Sequence, residues 1–251
     1  MLEPLPEPPY IPVRRPVLPL ERLGALVEVL ICSGFPTQIL LIVAVRSLVG
    51  IPMLTDAGTL SPPFVFTVSL LDAIAVVGLV VLFLRAHNES PRAVLFGDRP
   101  VVREALLGLA ILPAVFMLVV VVLAVIVRFA PYLHNVQRNP MEDMLRTRAD
   151  AVIFAVVVMI SGGVREEVQR GFIAHRFGQY LGGALWGVAV YSVFFGLAHF
   201  EQGYDAMIAT GLLGFVWGLV YIARRSIVAP MVSHAAFNLT QLLKHLALAA
   251  R

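Results

Sequence analysis

Three short segments in the C-terminal part of the chain carry ionisable or metal-capable side chains inside apolar sequence. They are Arg165-Glu166-Glu167-Val168-Gln169-Arg170, Phe195-Gly-Leu-Ala-His199 and His234-Ala-Ala-Phe-Asn238. Side chains four residues apart share one face of a helix, so Glu166 with Arg170, Phe195 with His199 and His234 with Asn238 each form a polar stripe. A helix bundle in an apolar environment turns such stripes inward, around a shared wet cavity. A carboxylate, two histidines and an amide form a hydrolytic set. The carboxylate can take a proton from water as general base. Neutral His199 and His234 can ligate one divalent metal such as zinc, which polarises that water. Alternatively the histidines and Asn238 can hydrogen-bond the developing oxyanion of a peptide carbonyl. Both routes end in amide hydrolysis, and the residue types alone do not choose between them.

The elements that must position these residues follow from composition. The 251 residues are 59% hydrophobic and 14% charged, with a mean hydropathy of +0.87. Soluble domains are about 45–50% apolar and about 25% charged, so a water-soluble globule is excluded, as is intrinsic disorder. The expected fold is all-α, a polytopic transmembrane helix bundle of about seven to eight spans at roughly 30 residues per span and loop. Apolar segments place spans near 23–45, 64–84, 105–127, from 151 onward, 181–200, 206–222 and 227–248, with a kink at Gly34-Phe35-Pro36. Residues 1–22, with seven prolines, read as an extended Pro-rich tail and not as a signal peptide. Residues 23–148 form N-terminal transmembrane helices, and residues 149–251 carry the candidate catalytic core.

The formal charge of +3 reflects arginines in loops; no basic run with interleaved aromatics points to nucleic acid. Cys32 is the single cysteine, which excludes an internal disulfide or a cysteine-based metal cluster. An N-terminus inside puts eleven Lys and Arg on the cytoplasmic side and seven outside, with Arg165 unassigned. Loop charge thus favours a cytoplasmic N-terminus in a multi-pass cell-membrane protein. Glu28 and Asp72 are expected to pair with arginines or line the cavity mouth, and His175 to be interfacial. Gly211, Gly214 and Gly218 suit close helix packing, and Trp186, Trp217 and Tyr221 serve as packing or interface anchors. No internal repeat of the transporter kind is visible.

Taken together and in order, the three segments resemble the motifs of the CPBP intramembrane protease family. That family includes type II CAAX prenyl proteases and bacteriocin-processing and self-immunity proteins. It reads Glu-Glu-x-x-x-Arg, Phe-x-x-x-His and His-x-x-x-Asn. The second and third motifs are matched in full by Phe195/His199 and His234/Asn238, and the resemblance covers residues 150–245. It implies a membrane endopeptidase acting on a peptide or protein in or at the bilayer, a prenylated C-terminus being one form. It also implies Arg170 as the partner that orients the catalytic carboxylate. The first motif departs from the pattern. Anchored on Arg170-Gly171, it puts Arg165 where the family has its first Glu, which leaves the base open between Glu166 and Glu167. These lie about 40° and 60° to either side of Arg170 around a helix. Simple span boundaries also place His199 some 22 Å from Glu166 along the membrane normal, so a joint site requires a deeper first helix or a displaced second one. A non-catalytic scaffold or immunity protein and a proton-coupled carrier are the alternative readings.

Overall fold

The computed structural model describes residues 16–137 and 139–249. Most of the Pro-rich tail, along with Arg138 and the last two residues, lies outside the described residues. The helices, in chain order, are α1 (Pro19–Ile31), α2 (Phe35–Ala44), α3 (Pro62–Ala86), α4 (Pro91–Leu95), α5 (Val101–Ala110) and α6 (Leu112–Phe129). They continue with α7 (Arg148–Val157), α8 (Glu166–Tyr180), α9 (Ala184–Leu197), α10 (Tyr204–Arg224) and α11 (Val228–Ala249). Wide π turns extend α2 through Val45–Val49 and join α7 to α8 through Val158–Arg165. The all-α expectation holds among the described residues, where the only extended pairing is an isolated bridge between Leu54 and Leu60.

Helix α1 begins four residues inside the segment expected to be extended. Proline at the first helical position costs no hydrogen bond, and the Glu21 carboxylate accepts from the Leu18 amide at 2.9 Å. The expected kink is present: α1 and α2 are bent by 43° at Gly34, whose φ is +84°. A side chain there would run into the Arg165 guanidinium, so glycine serves both the left-handed backbone and the close approach.

Three helical stretches are long and apolar enough to cross a membrane: Pro62–Ala86, Val101–Phe129 and Tyr204–Arg224. The bent α1–α2 pair makes a fourth if read as one span. The expected count of seven to eight is not reached by length and composition, for two physical reasons. A span needs about 20 apolar residues, and α9 has 14. Helix α8 carries Glu166, Glu167, Arg170 and Arg176 within one stretch. Outward faces are apolar, with Leu40, Ile74, Val120, Val152 and Val193 all exposed. Such surfaces are stable against lipid and not against water, and this is a membrane protein.

Glu28 and Asp72 are paired with arginines of α8 and of the turn before it. Arg165 Nη2 lies 2.6 Å from Asp72, which also accepts from Thr37 at 2.5 Å. Arg176 Nε lies 2.6 Å from Glu28, and His87 approaches the other oxygen of that carboxylate at 2.6 Å. Arg176 also reaches Glu89. Burial of Glu89 opposes its ionisation, but hydrogen bonds from Arg176, Gln179 and His175 outweigh it and hold the carboxyl below its usual range.

The chain runs alternately between two ends. At one end the amide of Ile227 donates to Leu95, the Tyr221 hydroxyl to Val94, and Arg224 pairs with Glu104. At the other, Arg146 bonds Thr59, His134 approaches Asp205 at 2.6 Å, and the Tyr204 amide donates to Asn135. A core around Phe172, Tyr191, Phe195 and Ile227 lies toward the first end.

Candidate active site

Helix α7 starts on a capping box, in which Thr147 and Asp150 satisfy each other's backbone amides. Its apolar run then meets Ser161-Gly162-Gly163 and widens into the π turn. These glycines allow α11 to approach almost backbone to backbone. A Cβ on Gly163 would lie 2.7 Å from the Ala235 Cβ, and one on Gly162 would run into the Asn238 amide. The third motif is thereby seated against the first. Glycines also bring the second motif in. A Cβ on Gly196 would lie 2.7 Å from the Met207 carbonyl, and one on Gly214 would lie 2.8 Å from the Phe195 ring. Close packing at Gly211, Gly214 and Gly218 is as expected.

The two adjacent glutamates have different surroundings. Glu167 is 1% exposed; one of its oxygens accepts from both Arg170 and His234 Nδ1, the latter at 2.9 Å. Arg170 is enclosed by rings, its guanidinium carbon 4.9 Å from the Phe195 centroid, 5.4 Å from Tyr191 and 5.8 Å from Trp217. Glu166 instead faces a cavity of about 650 Å³, lined also by His199, His234, Asn238 and Trp217. Its carboxylate lies 3.7 Å from His234 Nε2.

The histidines are held in defined tautomers. His199 Nδ1 lies 2.8 Å from the Phe195 carbonyl, which can only accept, so Nδ1 carries the proton. His234 Nδ1 likewise faces the Glu167 carboxylate. In the neutral rings both Nε2 atoms then bear lone pairs. The His234 ring is stacked on Trp217, centroids 3.9 Å apart and planes 18° from parallel. Trp217, expected only as an anchor, therefore fixes a candidate catalytic ring.

All six residues singled out in the sequence are placed together: Glu166, His199, His234 and Asn238 on the cavity, Glu167 and Arg170 directly behind it. The apparent 22 Å separation disappears because α8 runs 15 residues from Glu166 and α9 returns over 14, which brings Glu166 and the turn that holds His199 to the same end. There His199 faces the same cavity as Glu166. Arg165 points away from the cavity, toward Asp72. The mouth of the same cavity, lined by His134, Glu142, Gln202, Asp205, Lys244 and His245, has no motif in the sequence.

A zinc-type centre needs three or four protein donors around one point. Among the described residues no group of three His, Cys, Asp or Glu side chains is arranged to hold a metal ion. His199 and His234 alone do not make such a site.

Residues 148–240 match the family model described as Type II CAAX prenyl endopeptidase Rce1-like. The matched stretch starts with α7, runs into α11 and contains all six candidate residues. It supports a CPBP-family intramembrane protease, the family that the motifs resemble. No curated protein and no solved structure matches the chain.

Proposed function

We propose that the chain is an intramembrane endopeptidase that hydrolyses a peptide bond in a membrane-associated peptide or protein, with Glu166 as the general base. One observation carries this reading: of the two adjacent carboxylates, Glu166 shares the cavity with His199, His234 and Asn238, while Glu167 is closed off by Arg170 and His234.

The chemistry follows from the donors and acceptors. A water in the cavity donates one hydrogen to the Glu166 carboxylate and the other to an imidazole Nε2. As its oxygen attacks the peptide carbonyl carbon, Glu166 takes the proton and the carbonyl oxygen becomes an oxyanion. The Asn238 side-chain amide donates to that oxyanion. Collapse of the intermediate breaks the C–N bond, and the proton on Glu166 passes to the leaving amine. Glu167 holds His234 through Nδ1, Arg170 fixes Glu167, and the Trp217 ring supports the imidazole from its face. Arg170 thus orients the carboxylate behind the base.

The test is cleavage of a quenched-fluorescent peptide panel, including an isoprenylated C-terminal peptide, by detergent-purified protein. Cleavage that Glu166→Gln abolishes without lowering the thermal midpoint supports the assignment. Cleavage unchanged by Glu166→Gln refutes it.

A further inference from the structure

We propose that the chain carries a second, non-catalytic ligand site: a pocket for the headgroup of phosphatidylethanolamine, formed by Ser90, Arg92, Asp98 and Arg99 where the helical stretch Val101–Phe129 begins.

A cavity of about 270 Å³ lies between α4, the turn after it and the start of α5, lined by Ser90, Arg92, Phe96, Asp98, Arg99 and Val101 among others. It shares no lining residue with the catalytic cavity. Drug-sized ligands fill roughly 300–1,000 Å³, so this volume suits a smaller group. Its walls are held by the connection between α10 and α11. Gly97 has a φ of +62°, and a Cβ there would run into the Arg225 carbonyl. The Ile227 amide donates to the Leu95 carbonyl at 2.8 Å. Arg99 Nε donates to the Arg224 carbonyl at 2.9 Å, which fixes the guanidinium and leaves its Nη groups to donate to a ligand.

The charges in the pocket fit a ligand of both signs. Arg92 and Asp98 are exposed, and neither side chain has an ion pair or hydrogen bond among the described residues. Neighbouring Arg224, by contrast, is paired with buried Glu104. Guanidinium groups donate charge-assisted hydrogen bonds to phosphate oxygens. A carboxylate beside them repels a simple anion, unless the ligand brings its own cation. Ethanolamine phosphate brings both. Its phosphodiester accepts from Arg92 and Arg99, and its ammonium donates to Asp98. Ser90 Oγ accepts from the Ala93 amide at 3.3 Å and keeps its hydrogen to donate to the phosphodiester. A choline headgroup has no N–H for Asp98, and a glycerol headgroup has no positive charge.

The apolar half of the same lipid has its place beside the pocket. The stretch Val101–Phe129 is long and apolar enough to cross a membrane, and most of it is exposed. Its first turn therefore lies at headgroup level. Val102, Leu106 and Leu109 share one face of the helix and are 71%, 61% and 51% exposed. Phe96 and Val101 join this stripe to the pocket wall. With the headgroup seated, the acyl chains lie along the stripe. A free phosphate compound engages the charged half alone.

The test is titration of the full chain, purified in detergent, with four probes: the dioctanoyl forms of phosphatidylethanolamine, phosphatidylglycerol and phosphatidylcholine, and O-phosphoethanolamine. Thermal midpoint reports occupancy, since a ligand of the folded state raises it. Half the maximal rise is expected at a phosphatidylethanolamine concentration at least about tenfold below that of each other probe. Arg92→Gln should raise that concentration at least about tenfold, and Asp98→Asn should erase the preference for the ethanolamine over the glycerol headgroup. Neither variant should move the lipid-free midpoint or peptide cleavage. The proposal is overturned by the absence of a saturable rise with phosphatidylethanolamine or by equal action of the three lipids on the parent. It is equally overturned if O-phosphoethanolamine acts as well as the lipid, or if either variant responds as the parent does.

Discussion

Replacing Asp72 by Asn removes the one charge that Arg165 meets within 3 Å among the described residues. Both side chains are deeply buried, 2% and 7% exposed, with Nη2 to Oδ2 at 2.6 Å. Stranding one member of a buried ion pair costs about 3–5 kcal/mol. At about 2–4 °C per kcal/mol for a chain of this size, the thermal midpoint should fall by roughly 6–20 °C. Asn keeps an acceptor for the Thr37 hydroxyl, so the loss isolates the charge. The double variant Asp72→Leu/Arg165→Met should behave differently. Arg165 Nε has no hydrogen-bond partner among the described residues, and an incompletely satisfied buried pair is replaced by apolar side chains at little cost, within about 1 kcal/mol. Thermal unfolding of the purified variants in detergent measures both. A neutral Asp72→Asn, or a double variant as unstable as the sum of its singles, would refute the assignment of Arg165 as a structural partner of α3.

Four other outcomes follow from the geometry. Gly162→Ala should lower activity about 100-fold by displacing Asn238. Gly24→Ala, where a Cβ meets nothing within 4 Å, should stabilise α1 by about 0.5–1 kcal/mol; equal effects in both assays would contradict the close-packing argument. Asn238→Ala should cost about 10²–10³ in kcat with little change in thermal midpoint, and a change confined to KM would remove its oxyanion role. Glu89 has a lowered folded-state pKa, so its contribution is full above the unfolded value of about 4.3 and disappears as pH falls through the folded one. The midpoint gap between the parent and Glu89→Gln should therefore be constant near neutral pH and close below about pH 4; a gap that widens with acid would reverse the sign.

The site was more legible than the spans. Glu166, His199, His234 and Asn238 stand out because ionisable side chains at helical spacing in apolar sequence are costly unless turned inward. The Glu166/Glu167 ambiguity could not be resolved from the sequence, because the helix angles put the two carboxylates on either side of Arg170 in α8 without saying which side meets the cavity. The π turn at Val158–Arg165 ends where the motif departs from the family pattern, and Arg165, in the first Glu position, finds Asp72 on α3. Pairings such as Asp72–Arg165 and Glu28–Arg176 join residues far apart in the chain, which periodicity does not report. The span count is not confirmed by helix length and composition among the described residues, since an apolar run need not be long enough to cross. The helix after Gly183 is too short for that by itself, and α8 spends its length on Glu167, Arg170 and Arg176. The depth conflict arose from placing Glu166 toward the far end of its span; it opens α8, and α9 returns over nearly the same length to the turn that holds His199.

The central claim is the division of labour between adjacent glutamates. It is tested most directly by the rate at which Glu166→Gln and Glu167→Gln cut a peptide that the parent protein cuts, each rate divided by the folded fraction. Glu166→Gln should lose about 10²–10⁴ in kcat/KM and keep the parent's thermal midpoint, as expected for a lost general base. Glu167→Gln should unfold at a lower temperature, having broken the buried pair with Arg170, yet keep more activity per folded molecule than Glu166→Gln. Full activity in Glu166→Gln, or a catalytic loss confined to Glu167→Gln, would contradict the account.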